Sequence, residues 1–155
     1  MSRSGVRNLG LLFALALPAV AAAQDVKAGA TPSAAVEEFM HAVADSNLTR
    51  MAQLFGNAKG ASARTHQPAN YEKRMVATQL FLRGVQVRTL GDVPTEKGGM
   101  RAITTQLAHN GCTVTLSVNV VRAREGWLVH DFDLERAAQV NRPCDTSKRP
   151  GNRPE

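Results

Sequence analysis

The sequence predicts an α+β protein, with helices in the first half and an antiparallel sheet in the second. Three observations carry this: apolar residues recur at helical spacing as far as Leu82, they alternate with polar residues from Val85 onward, and Asn110-Gly111 stands between two of the alternating runs. Helices followed by strands, rather than the two in alternation, separate this class from a parallel α/β fold.

Thr31 closes a short linker, residues 24–30, as an N-cap, and Pro32 follows at the first helical position, where a missing N–H costs nothing. Val36, Phe39, Met40 and Val43 then share one face until Asp45-Ser46-Asn47 breaks the pattern. Asn47 opens a second, short helix over LTRMAQLF, with Leu48, Met51, Leu54 and Phe55 on its stripe and Gly56 as its stop. The stretch NAKGASARTHQ, 57–67, has no periodicity and reads as a mobile surface loop. Asn70 caps the third helix, YEKRMVATQLFLR, which aligns Tyr71, Met75 and Leu82 on one stripe with Val76 and Leu80 beside it and ends at Gly84. Four strands follow: VQVRTL, MRAITTQLAH, CTVTLSVNVVRA and WLVHDFDL.

Turn chemistry sets the expected register. A two-residue turn at Asn110-Gly111 pairs His109 with Cys112, and counting outward pairs Leu107 with Val114, Thr105 with Leu116, Ile103 with Val118 and Arg101 with Val120 on the apolar face. For the next connection, Arg124-Glu125-Gly126, a two-residue turn would set Asp131 and Asp133 on that apolar face. Burying unpaired carboxylates costs several kcal/mol, so a three-residue loop is expected, which pairs His130 with Val120, Phe132 with Val118 and Leu134 with Leu116. Leu128 and His130 then face the core, while Trp127 and Val129 face out.

At 43% hydrophobic and 21% charged, the 155 residues suit one globular domain and exclude a wholly disordered or fibrous chain. Arg3 and Arg7, an apolar run from Leu9 to Val20 and Ala21-Ala22-Ala23 form a secretory leader, with cleavage expected after residue 23. No second apolar stretch follows, so no membrane span is expected and the product belongs in the periplasm or outside the cell. The charge is +6, from 19 basic and 13 acidic residues, and loss of Arg3 and Arg7 leaves 17 against 13. The basic residues are scattered and aromatics are few, which argues against nucleic acid as a partner. Residues 138–155, rich in Pro, Arg and Asn, read as an extended basic tail with no core to offer.

The order helix, short helix, helix and sheet, with AVEEFMHAVADSNLTRMAQLFG in front and GWLVHDFDL at the close, resembles the nuclear transport factor two-like, cystatin-like cone superfamily over residues 31–137. It is most similar to small exported bacterial members of unknown role. The superfamily also holds ketosteroid isomerase and SnoaL-like cyclases beside non-catalytic binding domains. The resemblance implies three helices on a curved four-stranded sheet, a conical pocket between them, and often a dimer through the sheet.

In such a pocket the register places Arg101, Thr105, Val118, Val120, His130 and Phe132. No carboxylate falls on that face, which disfavours isomerase chemistry. Arg101 and His130 are the candidate catalytic pair, against the plainer reading of a packed histidine and a rim arginine. His109, Cys112, His130 and Cys144 contain only one closely spaced pair, so neither a metal nor another cofactor is expected, and Cys112 and Cys144 are read as a disulfide of an oxidising compartment. On the outer face Met100, Val121, Trp127 and Val129 adjoin, an apolar patch to be covered by a second copy in a homodimer or by the chain's own tail. The functional expectation is an exported, non-enzymatic domain that binds a small ligand or a protein partner. A small hydrolase, isomerase or dehydratase using His130 and Arg101 is the alternative.

Overall fold

A computed structural model describes residues 28–95 and 98–144; the expected leader, most of the linker and the residues beyond 144 lie outside it. The first helix, α1, spans Pro32–Ala44, and the Thr31 hydroxyl accepts from the Ala34 N–H at 3.1 Å as the cap pattern predicts. It buries Val36, Phe39, Met40 and Val43 and touches all four strands of the main sheet. Helix α2, Leu48–Leu54, begins where the Asn47 side chain accepts from the Arg50 N–H at 2.9 Å.

The stretch expected to be a mobile loop is structured. Strands β1 (Gly56–Asn57) and β2 (Gly60–Ala61) form a small hairpin, and a one-turn helix, α3, follows at Ser62–Thr65. What holds it is distant in sequence: the Glu125 carboxylate accepts from the Ala61 N–H at 3.0 Å and from Arg64 at 2.9 Å. These donors outweigh the effect of burial, which alone would raise the acid's pKa, and hold the Glu125 carboxyl below its ordinary value. Gly56 is required here, since a Cβ would meet the Gly60 carbonyl oxygen at 2.4 Å.

Helix α4, Tyr71–Leu82, packs on α1 and α2 through Met75, Thr78 and Leu82. The main sheet then runs β3 (Gln86–Pro94), β4 (Met100–His109), β5 (Cys112–Ala123) and β6 (Gly126–Phe132), all antiparallel, in the order β3-β4-β5-β6. The β4–β5 register is the expected one from His109↔Cys112 to Met100↔Val121, and Asn110 and Gly111 both take positive φ in the turn.

The β5–β6 register differs from the three-residue loop. Ala123 pairs with Gly126, so the turn has two residues, and Val120 pairs with Val129; beyond a bulge at His130, Asn119 pairs with Asp131 and Val118 with Phe132. One extra residue in β6 reconciles the tight turn with an outward Asp131, whose side chain stays 54% exposed. Four side chains change place as a result. Val129 enters the main core and Trp127, expected to face out, packs against that core from the same face, Leu128 turns to the outer face, and His130 leaves the row of Arg101 and Val120.

Leu134 does not continue the strand opposite Leu116. Asp133 accepts from the Arg136 N–H at 2.9 Å and caps helix α5, Leu134–Ala138, which a turn of 3-10 helix extends through Gln139–Asn141. Ala137 and Val140 are core residues, so part of the segment expected to be an extended tail seals the fold instead. Its end is tied down by the expected Cys112–Cys144 disulfide.

The outer patch is closed by the chain itself. Val121, Ala123 and Leu128 are buried under Ala28 and Ala61, with Met100 packed alongside. Gly29 exchanges both backbone hydrogen bonds with Trp127, at 3.1 and 2.9 Å, and the Arg122 guanidinium lies 5.5 Å over the indole. The cover among the described residues is Ala28 and Ala61. Among the described residues no helix is long and apolar enough to cross a membrane.

Candidate functional site

The space between the helices and the sheet is filled. Thr105, Leu107, Val118 and Phe132 from the sheet meet Val36, Phe39 and Met40 from α1 around a void of about 10 Å³. That is room for one water molecule at most. Thr105 is fully buried and satisfied, its hydroxyl donating to the Ile103 carbonyl at 3.1 Å. Thr105, Val118 and Phe132 therefore line a closed core rather than an open pocket, and Val120, also fully buried, is part of the same core.

The structure does not bring Arg101 and His130 together. Arg101 pairs with Val120 across the sheet as expected, but its Nε donates to the Asp92 carboxylate at 2.7 Å, an ion pair at the β3–β4 end of the sheet. His130 lies in the β6 bulge, two strands away. Its Nδ1 is 2.8 Å from the Gly56 carbonyl oxygen, which can only accept, so the geometry assigns the proton to Nδ1 and leaves Nε2 as an acceptor in the neutral ring.

Around His130 a groove of about 380 Å³ opens along the β6 edge. The β1–β2 hairpin supplies Asn57, the turn before α4 supplies Gln67 and Pro68, and the sheet supplies Asn119 and Asp131. Arg74 of α4 closes one wall. Its guanidinium pairs with Asp131 and donates to the Phe132 carbonyl at 3.2 Å, while its carbon centre stands 5.3 Å from the Phe55 ring and 5.9 Å from that of Phe132. With side chains 28% and 54% exposed, the Arg74–Asp131 pair adds at most about 1 kcal/mol to stability. Its larger effect is to fix where the charges stand.

Of the expected site residues, His130 and Met100, the latter expected in the outer patch, line this groove. Asn57, Gln67, Arg74, Asn119 and Asp131 were missed as site residues. For Arg74 a signal existed: on a helix whose buried stripe is Tyr71, Met75 and Leu82, position 74 borders that stripe, where a long cation can lie against core aromatics and keep its head in water. For Asn57 and Gln67 there was none, because the hairpin that presents them is held by Glu125. Among the described residues no group of three or more His, Cys, Asp or Glu side chains is placed to hold a metal ion.

A second groove, about 400 Å³ and mostly apolar, lies between α2 and α4.

No protein-family model and no curated protein matches the chain. Solved structures do. A nuclear transport factor two-like protein of unknown function from Cytophaga hutchinsonii is 16% identical, covering 68% of this chain and 92% of its own, with a TM-score of 0.40. A phospholipid-binding protein from Ralstonia solanacearum is 16% identical as well, covering 73% of this chain and 84% of its own, with a TM-score of 0.35. Likeness of this degree concerns the fold and carries nothing about ligand or activity.

Proposed function

We propose that this chain is an exported, non-enzymatic domain that holds a small polar ligand in the groove beside His130. The supporting observation is the contrast between the two spaces: the fold's interior is a void of about 10 Å³, whereas the β6-edge groove has about 380 Å³ and gathers three side-chain amides, an arginine, a carboxylate and an imidazole. Small-molecule sites span roughly 300–1,000 Å³ and use a few convergent polar groups to fix orientation. Asn57, Gln67 and Asn119 offer paired donors and acceptors, and His130 Nε2 offers an acceptor held in place by the bond at Nδ1. Such a set suits an uncharged, multiply hydroxylated or amide-bearing molecule, because the Arg74 and Asp131 charges already answer each other.

Against catalysis, no serine, threonine or cysteine lines the groove, and its carboxylate is engaged by Arg74. Export is supported by the leader pattern and by a disulfide suited to an oxidising compartment.

Native mass spectrometry of the secreted protein, followed by release and identification of whatever it retains, tests this reading. A polar small molecule should be found on the wild type and lost from Asn119→Ala and His130→Gln, with melting temperatures little changed. An empty wild-type protein, or retention untouched by either substitution, refutes the assignment to this groove.

A further inference from the structure

Six large apolar side chains are exposed among the described residues, and four of them, Leu48, Val76, Leu80 and Phe81, belong to α2 and α4. Single exposed apolar residues need no explanation, but a group on one surface does. At 3.6 residues per turn, Lys73, Val76, Leu80 and Arg83 fall within one arc of α4, opposite the buried Met75, Thr78 and Leu82. Leu80 is 72% exposed, the highest value of the six, and gives nothing to the core. Beside this arc lies the apolar groove between α2 and α4, walled by Leu48, Ala52, Met75 and Val76.

The charges around the patch select what can cover it. Lys73 stands at the start of the arc and Arg83 at its end, both exposed, and Glu72 is the one acid of α4. Glu72 also accepts a hydrogen bond from the Tyr71 hydroxyl at 3.1 Å. In a symmetric pair this face would meet itself, setting two lysines and two arginines around an apolar contact with two glutamates to offset them. An apolar strip with cations at both ends is instead complementary to a surface that is anionic at its phosphates and apolar beneath. The net positive charge of the chain favours the same approach.

We propose that the outward face of α4 docks on an anionic lipid bilayer, with Val76 and Leu80 entering the headgroup boundary and Lys73 and Arg83 meeting lipid phosphates. This is independent of the ligand groove, which opens at the β6 edge.

The test is sedimentation of the secreted protein, disulfide intact, with vesicles of phosphatidylcholine alone and of phosphatidylcholine mixed with phosphatidylglycerol, at low and at high salt. Binding is expected to the mixed vesicles and to weaken with salt. Lys73→Ala and Arg83→Ala should each weaken it about fivefold, and Leu80→Ser at least about tenfold. Because Leu80 is exposed, the melting temperature of that variant should match the wild type, which separates lost docking from lost folding. His130→Gln should bind vesicles as the wild type does, even where it loses its small molecule. The proposal is overturned by absence of binding to the mixed vesicles, by binding that Leu80→Ser leaves intact, or by a dimer that sedimentation velocity detects and Leu80→Ser dissolves.

Discussion

Replacing Cys112 and Cys144 together by serine removes the crosslink that closes a 32-residue separation across β5, β6 and α5. Loop-closure entropy for that length gives a loss of about 3–4 kcal/mol. The native side of the balance should change little, because Ala137 and Val140 are buried in the main core and Asn141 bonds the Phe81 carbonyl, so the segment keeps its place without the bond. The effect therefore lies in the unfolded chain. For a domain of this size it corresponds to a fall of roughly 10–15 °C in melting temperature. Thermal unfolding followed by circular dichroism, with wild type and double variant in the same buffer, reads it directly. A double variant that melts within about 3 °C of wild type would show that the unfolded chain gains little freedom. A near-ultraviolet spectrum already lost at room temperature would refute the claim that packing alone holds the segment.

The β6 bulge gives a sharper test of register: Val129→Asp should destabilise the protein by about 3 kcal/mol or more, since Val129 is fully buried, whereas a three-residue loop would have left it outside and tolerant. A melting temperature near wild type would restore the loop register. Glu125 predicts a pH dependence. Its folded pKa is depressed, so its stabilising contribution is present above the unfolded carboxylate value of about 4.3 and is lost as pH falls through the lower folded value. Glu125→Gln should accordingly be less stable than wild type at neutral pH, with the gap closing in acid; a gap that persists at the lowest pH where both remain folded contradicts the assignment.

What could be read from the sequence was what local chemistry decides. Thr31-Pro32 and Asn47 mark the helix starts, and Asn110-Gly111 dictates ten successive pairs of β4 and β5, because a turn that needs positive φ twice admits one register. The β5–β6 hairpin escaped because Arg124-Glu125-Gly126 is compatible with two loops. The choice between them assumed a continuous strand, and the bulge at His130 removed the conflict on which it rested. For the site, the same slip of one residue carried His130 out of the expected pocket and into the groove with Arg74 and Asn57. Those two come from segments joined to β6 only by the tertiary fold, and no spacing in the sequence connects them.

The covering of Leu128 by Ala28 also has a consequence for the order of assembly. Ala28 leaves the ribosome 100 residues before Leu128, and the surface it rests on exists only when β5 and β6 have paired and turned at Gly126. Ala61 waits on the same hairpin, through Glu125. Contacts of such long sequence separation form late, because their loop entropy must be met before any reward arrives. The first described residues of this chain are therefore among the last to be fixed, and a nascent chain stopped anywhere before β6 has nowhere to put them.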